Sequence, residues 1–427
     1  MCFGKFSRQT VLVVLLVLGL VAACGGGGGG SPPAPTPPPP PIASNVVAVT
    51  VDSGPIDESG QSVNAINSLY TTVKVCHPAS STSCTTIDHV LVDTGSTGLR
   101  LLSSVLSSSL NLSVQNGSTG LPLLSCAQFV DNTFAWGPVA LADVTLGTKT
   151  AANVPIQLIG DPAYDQLSGV CQAGAGNMNT ITALGAKGIL GVGLFLQDCG
   201  SNCASSVGNG RYFSCATSAC KKATGVAVAL GKQLQNPVAL FAQDNNGVLI
   251  DLPAVASAGS PAGAPALSGS MIFGVATQSN NLLSSGAKVL ATDAYGNITT
   301  VLQGASMPNS FIDSGSNGLF FNSSAIAACS NANYRGFYCP SGLTVLTATL
   351  SVPGAGAATV PVSVPFAVDN AATLFANASW SVYPTLSGPN GDASSFDWGL
   401  PFFFDRRVFI GIEGQGSAVG TGPFYAF

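Results

Sequence analysis

Two aspartates, Asp93 and Asp313, lie in stretches of similar sequence, "HVLVDTGSTGLRLL" (89–102) and "NSFIDSGSNGLFF" (309–321). A carboxylate at the end of an apolar run is costly unless it is hydrogen-bonded or used in chemistry. In either turn alone, the aspartate is better explained as a cap on the backbone. Two copies with matching flanks instead favour a pair of carboxylates that work together as general acid and general base.

The residues that follow each aspartate also correspond. A hydroxyl residue, a glycine and a serine follow in order, and we expect the hydroxyls to brace the loops and orient the carboxylates. The glycines allow a turn where a Cβ would clash. These supporting residues are Thr94, Gly95 and Ser96 in the first copy and Ser314, Gly315 and Ser316 in the second.

Each copy reads as a strand, a sharp turn and a second strand. A further element repeats after each copy: "GILGVGLF" (188–195) and "DWGLPFFF" (397–404) are apolar runs broken by glycine. Such runs suit buried strands that pass close behind another backbone. The sequence therefore predicts two related halves, each with an aspartate loop and a later apolar-glycine strand.

Composition predicts an all-β protein. Apolar residues make up 46% of the 427 residues and charged residues 8%, which leaves little for the polar faces of long amphipathic helices, and 51 glycines favour many turns. The formal net charge is −5, and no large basic cluster is present, which argues against nucleic-acid binding.

The first 44 residues predict export and a lipid anchor. Basic residues precede the apolar run "VLVVLLVLGLVAA" (11–23), which suits a signal peptide better than a membrane span. The stretch "VAAC" (21–24) resembles a bacterial lipobox, which implies cleavage after residue 23, lipidation of Cys24 and an outer-membrane lipoprotein of the cell envelope. An ordinary secretion signal is the alternative. Residues 24–44 are a Gly- and Pro-rich linker.

Ten cysteines follow Cys24, an even number that predicts disulfides in an exported protein. A zinc site is disfavoured because no CxxC pair occurs and the chain has two histidines. Connectivity does not follow from sequence; proximity suggests the pairs Cys76–Cys84, Cys199–Cys203, Cys215–Cys220 and Cys329–Cys339, which leaves Cys126–Cys171.

Together these landmarks resemble the pepsin-like aspartic peptidases. "SGSMIFGV" (268–275) resembles the strand that closes the first lobe of that family, and "GPFYAF" (422–427) resembles its terminal strand. The resemblance covers nearly all of residues 65–427 and extends to an uncharacterised family of bacterial lipoproteins with this fold. It implies a bilobal all-β fold with two barrel-like lobes, residues 45–285 and 286–427, on either side of a cleft.

By this resemblance Asp93 and Asp313 are the catalytic pair of an endopeptidase. One shared proton lets the ionised member activate a water while the protonated member donates to the peptide carbonyl. The resemblance implies a peptide or protein substrate, a monomer, and no cofactor or metal.

Two features depart from that family. Leu99-Arg100 stands where the family usually has Leu-Trp, and the hairpin that corresponds to its flap (127–147) has no tyrosine. Phe129, Phe134 or Trp136 could cover the cleft as an apolar lid, with ordinary hairpin packing as the alternative reading.

The sequence disfavours two other kinds of functional site. A Ser-His-Asp triad is disfavoured because no GxSxG elbow accompanies His77 or His89, and no phosphate-binding loop is found. The remaining alternatives are a catalytically silent pepsin-fold binding or envelope lipoprotein, and a structural surface protein whose aspartates cap strands.

Overall fold

The computed structural model describes residues 43–164, 171, 176–215, 222–255, 261–354 and 361–427. The predicted signal peptide, Cys24 and nearly all of the predicted linker lie outside these residues. Strands account for 42% of the structure and helices for 10%, so the protein is all-β with barrel-like sheets, as its composition predicts. Within the described residues, no helix has the length and apolarity needed to cross a membrane.

A sixteen-stranded sheet contains the first fourteen strands of the chain and two strands near its end. Its path runs β11-β10-β5-β6-β7-β4-β9-β3-β2-β1-β13-β12-β22-β25-β14, with β8 paired to β6. Its strands are β1 Val46–Val51, β2 Leu69–Cys76, β3 Cys84–Asp93, β4 Thr97–Leu102, β5 Leu123–Gln128, β6 Thr133–Leu146, β7 Lys149–Ile159, β8 Gly176–Asn177, β9 Gly188–Val192, β10 Tyr212–Cys215, β11 Ala223–Gly225, β12 Gly247–Leu252, β13 Leu267–Phe273, β14 Val289–Ala291, β22 Arg406–Gly411 and β25 Phe424–Ala426.

A seven-stranded sheet in the order β19-β18-β15-β16-β21-β17-β20 holds the second aspartate loop, and β23 and β24 form a separate hairpin. These strands are β15 Ile298–Leu302, β16 Ala305–Ile312, β17 Leu319–Phe320, β18 Thr344–Ser351, β19 Val362–Val368, β20 Ser387–Gly388, β21 Asp397–Trp398, β23 Gly416–Ser417 and β24 Gly420–Thr421.

Helices are short and connect the strands. The α-helices are α1 Ile181–Leu184, α2 Ser201–Ser205 and α3 Ala371–Phe375, and the 3₁₀ helices are Ser103–Val105, Pro162–Tyr164, Leu230–Lys232, Pro237–Leu240, Ser279–Asn281, Ala332–Tyr334 and Leu400–Phe402.

One large apolar core contains residues from both halves of the chain. Val92 and Leu99 flank the first aspartate loop, Ile312 and Leu319 flank the second, and all four are buried in this core. The core therefore fixes the strand ends from which both loops emerge.

Four of the five predicted disulfides are confirmed. They are Cys76–Cys84, Cys126–Cys171, Cys199–Cys203 and Cys329–Cys339. Cys215 is also disulfide-bonded, but its predicted partner Cys220 lies outside the described residues.

Candidate active site

The first aspartate loop joins β3 to β4, with β9 behind it. β3 runs parallel to β9, so that Val92 is opposite Leu190 and Asp93 is opposite Gly191. A Cβ on Gly191 would lie 2.6 Å from the Thr97 nitrogen, so only glycine lets the two backbones approach this closely.

The second loop repeats this arrangement with β16, β17 and β21. β16 runs parallel to β21, with Ile312 opposite Trp398, and the Asp313 N–H donates to the Trp398 carbonyl at 3.0 Å. A Cβ on Gly399 would lie 2.1 Å from the Gly318 oxygen. Both loops therefore have the predicted strand-turn-strand form, with an apolar-glycine strand behind.

Four reciprocal hydrogen bonds join the two loops. Thr94 Oγ1 donates to the Ile312 carbonyl at 3.2 Å and accepts from the Ser314 N–H at 2.9 Å. In the mirrored pair, Ser314 Oγ donates to the Val92 carbonyl at 2.7 Å and accepts from the Thr94 N–H at 3.2 Å. All four are buried, so each hydroxyl braces the opposite loop.

This interlock brings the carboxyl groups of Asp93 and Asp313 together. The Gly95 N–H donates to Asp93 Oδ1 at 2.8 Å and to Asp313 Oδ1 at 3.0 Å, so the two oxygens are no further apart than the sum of these distances. A Cβ on Gly95 would lie 2.6 Å from Asp313 Cγ, and one on Gly315 2.8 Å from Asp93 Oδ1. Glycine is therefore required at both positions.

The outer oxygens are held by the two serines. Ser96 Oγ donates to Asp93 Oδ2 at 2.5 Å, and Ser316 Oγ donates to Asp313 Oδ2 at 2.9 Å. Asp93 is 7% exposed and Asp313 is 8% exposed, so both carboxyls are largely withdrawn from water.

The pair holds a proton. Burial, followed by the neighbouring charges of Asp93 and Asp397, raises the pKa of Asp313 well above its usual value. The raised pKa favours one proton held between the two carboxyls, which titrate as a pair. Two carboxyls that share one proton can take a proton from a water and deliver one to a carbonyl oxygen.

A third buried acid, Asp397, lies on β21 next to the second loop, and sequence reasoning missed it. Asp397 is 3% exposed, and burial raises the pKa of its carboxyl to about 8. The signal was present in the sequence: "DWG" stands in the second half where the first half has "ILG".

Arg100 is buried behind the first loop. Its guanidinium forms an ion pair with Asp198 at 3.2 Å and donates to the Thr97 carbonyl at 2.8 Å. The Tyr212 hydroxyl donates to the same Asp198 carboxylate at 2.6 Å. Burial raises the pKa of Asp198 in spite of the Arg100 charge. Arg100, which stands where a tryptophan was expected, therefore belongs to a buried charge network with Asp198 and Tyr212.

The aromatic residues of the hairpin are mainly packed inside it. Phe134 and Trp136 belong to a buried cluster with Cys126, Cys171 and Phe213, and the Trp136 indole donates to the Tyr164 carbonyl at 2.8 Å. Phe129 is half-buried at the tip. Hairpin packing accounts for Phe134 and Trp136, and Phe129 is left as the candidate for a lid.

The family model described as "Protein of unknown function (DUF3443)" matches residues 41–427 of this chain. The match covers most of the chain, so the protein belongs to this family. No curated protein matches it.

Proposed function

We propose that this member of the DUF3443 family is an aspartic endopeptidase that hydrolyses peptide bonds on a bilobal, pepsin-like fold, with lobes at residues 45–285 and 286–427. The observation that carries the proposal is the contact between the two carboxyls: one N–H, that of Gly95, donates to Asp93 and to Asp313. Strand capping alone does not account for two acids held against each other in a protein interior. Burying two carboxyl groups together lowers stability, and such an arrangement is typical of groups that take part in catalysis.

We assign the proton of the pair to Asp313, whose pKa is raised, and the role of base to Asp93. Asp93, as the carboxylate, takes a proton from a water molecule bound between the two groups. The resulting hydroxide attacks the peptide carbonyl carbon, and Asp313 donates its proton to the carbonyl oxygen. The tetrahedral diol then collapses: the C–N bond breaks and the amine leaves with the proton held by Asp93. One hydroxyl of the diol returns its proton to Asp313, which re-forms the carbonyl of the product acid and restores the starting pair. No covalent bond to the protein forms.

The loops around the pair supply orientation. The Thr94–Ser314 interlock holds both backbones, and Ser96 and Ser316 fix the outer oxygens. Catalytic groups held in this way lose little reorganisation energy when the transition state forms.

The proposal includes export and a lipid anchor at Cys24 in the bacterial cell envelope, which is independent of the chemistry at the aspartates. Disulfides among the described residues support an oxidising compartment. Labelled fatty acid fed to expressing cells should appear in the protein and disappear in Cys24→Ala; unchanged labelling of that variant would contradict the anchor.

Peptide hydrolysis is the direct test. The purified full-length protein should cleave a mixed peptide library faster at pH 4 than at pH 8, because the shared proton is lost as pH rises above the raised pKa of Asp313. Cleavage should vanish in Asp93→Asn and in Asp313→Asn. Equal cleavage at both pH values, or cleavage that survives either substitution, would contradict the proposal.

A catalytically silent binding protein on the same fold is the second candidate. The observation that favours it is at Arg100 and the hairpin, where the buried Arg100–Asp198 pair replaces the expected tryptophan and Trp136 donates to the Tyr164 carbonyl. Pepstatin discriminates between the two. A thermal shift that is lost in Asp313→Asn supports a working pair, and a wild-type protein that does not respond favours the silent binder.

A further inference from the structure

Three polar residues of the sixteen-stranded sheet point to one side of it in the first half of the chain. Residues that pair across a ladder, and residues two apart along a strand, have their side chains on the same face of a sheet. Arg100 of β4 pairs with Gln157 of β7, and Gln157 pairs with Val139 of β6. The β6 partner of Ser125 lies two residues before Val139. Arg100, Gln157 and Ser125 therefore share one face.

The sheet curls so that this face closes on itself. Tyr212 of β10 pairs with Ser125. The Tyr212 hydroxyl donates to the Asp198 carboxylate, which also forms the ion pair with Arg100. The Gln157 amide reaches across β6 and donates to the Ser125 carbonyl at 2.7 Å. β4 and β10 therefore meet at Asp198, and the three polar side chains border one interior region.

This region is withdrawn from solvent. Arg100 is 2% exposed, and Gln157 and Ser125 are 0% exposed. Leu123, two residues before Ser125 on the same face, packs with Tyr212 in a buried apolar cluster. A polar atom in this region therefore has to find its hydrogen-bond partner inside the protein.

Each of the three side chains has one polar atom without a hydrogen-bond partner among the residues that the structure describes. These atoms are Arg100 Nε, Gln157 Oε1 and Ser125 Oγ. The other nitrogens of Arg100 donate to a backbone carbonyl and to Asp198, and Gln157 Nε2 donates to two backbone carbonyls. Because these two bonds fix the orientation of the Gln157 amide, Oε1 is the end that is left over.

The three atoms are complementary to one small polar molecule. Arg100 Nε can only donate, Gln157 Oε1 can only accept, and the Ser125 hydroxyl can do either. A water molecule has two protons and two lone pairs, and a buried water typically makes about three hydrogen bonds to polar groups that have no other partner. An ion fits less well, because Asp198 already neutralises Arg100.

We propose that the first half of the chain binds one buried water molecule between Arg100, Gln157 and Ser125. The water accepts from Arg100 Nε, donates to Gln157 Oε1 and exchanges a third hydrogen bond with the Ser125 hydroxyl. It thereby joins β4, which leaves the first aspartate loop, to β7 and to β5 of the hairpin. A buried guanidinium nitrogen without a partner lowers stability, so the water stabilises the Arg100–Asp198 pair. This site does not depend on the proposed peptidase function.

A crystal structure of the full-length protein tests the site directly. At a resolution that shows ordered water, one peak should lie about 2.7–3.2 Å from each of Arg100 Nε, Gln157 Oε1 and Ser125 Oγ. Direct hydrogen bonds among the three side chains, or no peak within reach of them, would overturn the proposal.

Ser125→Ala separates a hydrated site from a dry one by the sign of its effect on the urea midpoint. In a dry site the substitution deletes a buried hydroxyl that has no partner among the described residues, so the midpoint should rise or stay unchanged. In a hydrated site it breaks a bond to the water, so the midpoint should fall. A midpoint at or above the wild-type value would overturn the proposal.

Ser310→Ala is the matched control for this measurement. Ser310 is also 0% exposed, and its hydroxyl donates to the Met307 carbonyl at 2.8 Å. Its removal should lower the midpoint, which shows the size of the shift when a buried serine loses a known bond. The shift in Ser125→Ala should have the same sign as this control.

A double-variant cycle tests whether Arg100 and Ser125 share one partner. Arg100→Lys keeps a cation for Asp198 but removes Nε. In the described structure no hydrogen bond joins Arg100 to Ser125, so without a shared water the two midpoint shifts should add. With a shared water the double variant should shift by less than the sum, and additive shifts would overturn the proposal. If Arg100→Lys does not fold, the sign of the Ser125→Ala shift decides alone.

Discussion

The two aspartate loops are alike at the front, where Thr94 and Ser314 join them. They differ behind, in the strands that pack against each loop. At the front, Thr94 and Ser314 exchange the same pair of hydrogen bonds, one in each direction. Behind the first loop, the cross-strand pair is Arg100 and Ile189; behind the second, it is Phe320 and Asp397. Each half thus has one ionisable residue in this pair, a basic one on β4 in the first half and an acidic one on β21 in the second.

The difference shows which parts of a duplicated site are free to diverge. The front residues are constrained by both halves at once, since each hydroxyl bonds to the partner loop. The residues behind are constrained by their own half alone. Arg100 is neutralised within its half by Asp198, whereas Asp397 has an acid pair as its neighbour. The rear substitutions therefore make the two aspartates chemically unequal within a symmetric frame.

The largest effect is expected when either aspartate of the pair is neutralised. Asp93→Asn removes the base and Asp313→Asn fixes a neutral group where the proton must move, so each should lower kcat/KM by about 10²–10⁴-fold. Steady-state hydrolysis of one cleaved peptide measures this. The symmetric front predicts comparable losses, and a loss confined to one variant would break the comparison.

The next largest effect is expected at the buried ion pair of the first half. Arg100→Met leaves Asp198 buried without its cation and should lower the free energy of unfolding by about 3–5 kcal/mol. Urea denaturation measures it. The matched change behind the second loop, Phe320→Leu, should cost about 1 kcal/mol, since it removes only part of a half-buried ring.

The double variant Arg100→Met with Asp198→Leu sharpens this result. It removes both charges, so it should recover part of the stability lost in Arg100→Met. A double variant less stable than the single one would show that the pair does not act through charge burial.

A smaller and symmetric effect is expected at the interlock. Thr94→Val strands the Ser314 N–H, and Ser314→Ala strands the Thr94 N–H, so each should cost about 1–3 kcal/mol of unfolding free energy. Because the four bonds form one network, the double variant should cost less than the sum of the two. Additive losses, or losses that differ widely, would argue against a shared network.

The smallest effect is expected at the outer serines. Ser96→Ala removes a donor to the ionised Asp93, and Ser316→Ala removes a donor to the protonated Asp313. Bonds to a charged group are the stronger ones, so kcat should fall by about tenfold in Ser96→Ala and by less in Ser316→Ala. Single-turnover rates at pH 4 compare them, and the reverse order would contradict the assignment of the proton to Asp313.

The sequence predicted the parts of the site that repeat. Both loops, the glycine strands behind them and the all-β class followed from local pattern, and four cysteine pairs followed from proximity or from what remained. The duplication also suggested that Asp93 and Asp313 meet, because two copies of one loop are best explained by a shared use.

The sequence did not predict the site residues that have no counterpart in the other half, and the reason is physical. Arg100 and Asp198 are separated by 98 residues, and neither position reads as unusual until strand register brings them together. Asp397 was visible as a polar residue in an apolar strand, but its burial beside the second loop depends on how β21 packs into the core. Register and facing are set by the packed core, which local sequence does not encode.

The bonds between Thr94 and Ser314 join residues 220 positions apart in the chain. A polypeptide made from its N-terminus therefore presents the first acid long before the second, and the pair is complete only when the two loops have docked. Such distant closure is slow compared with local strand formation. Under the proposed peptidase function, this order of assembly would keep the unfinished chain from cleaving neighbouring proteins.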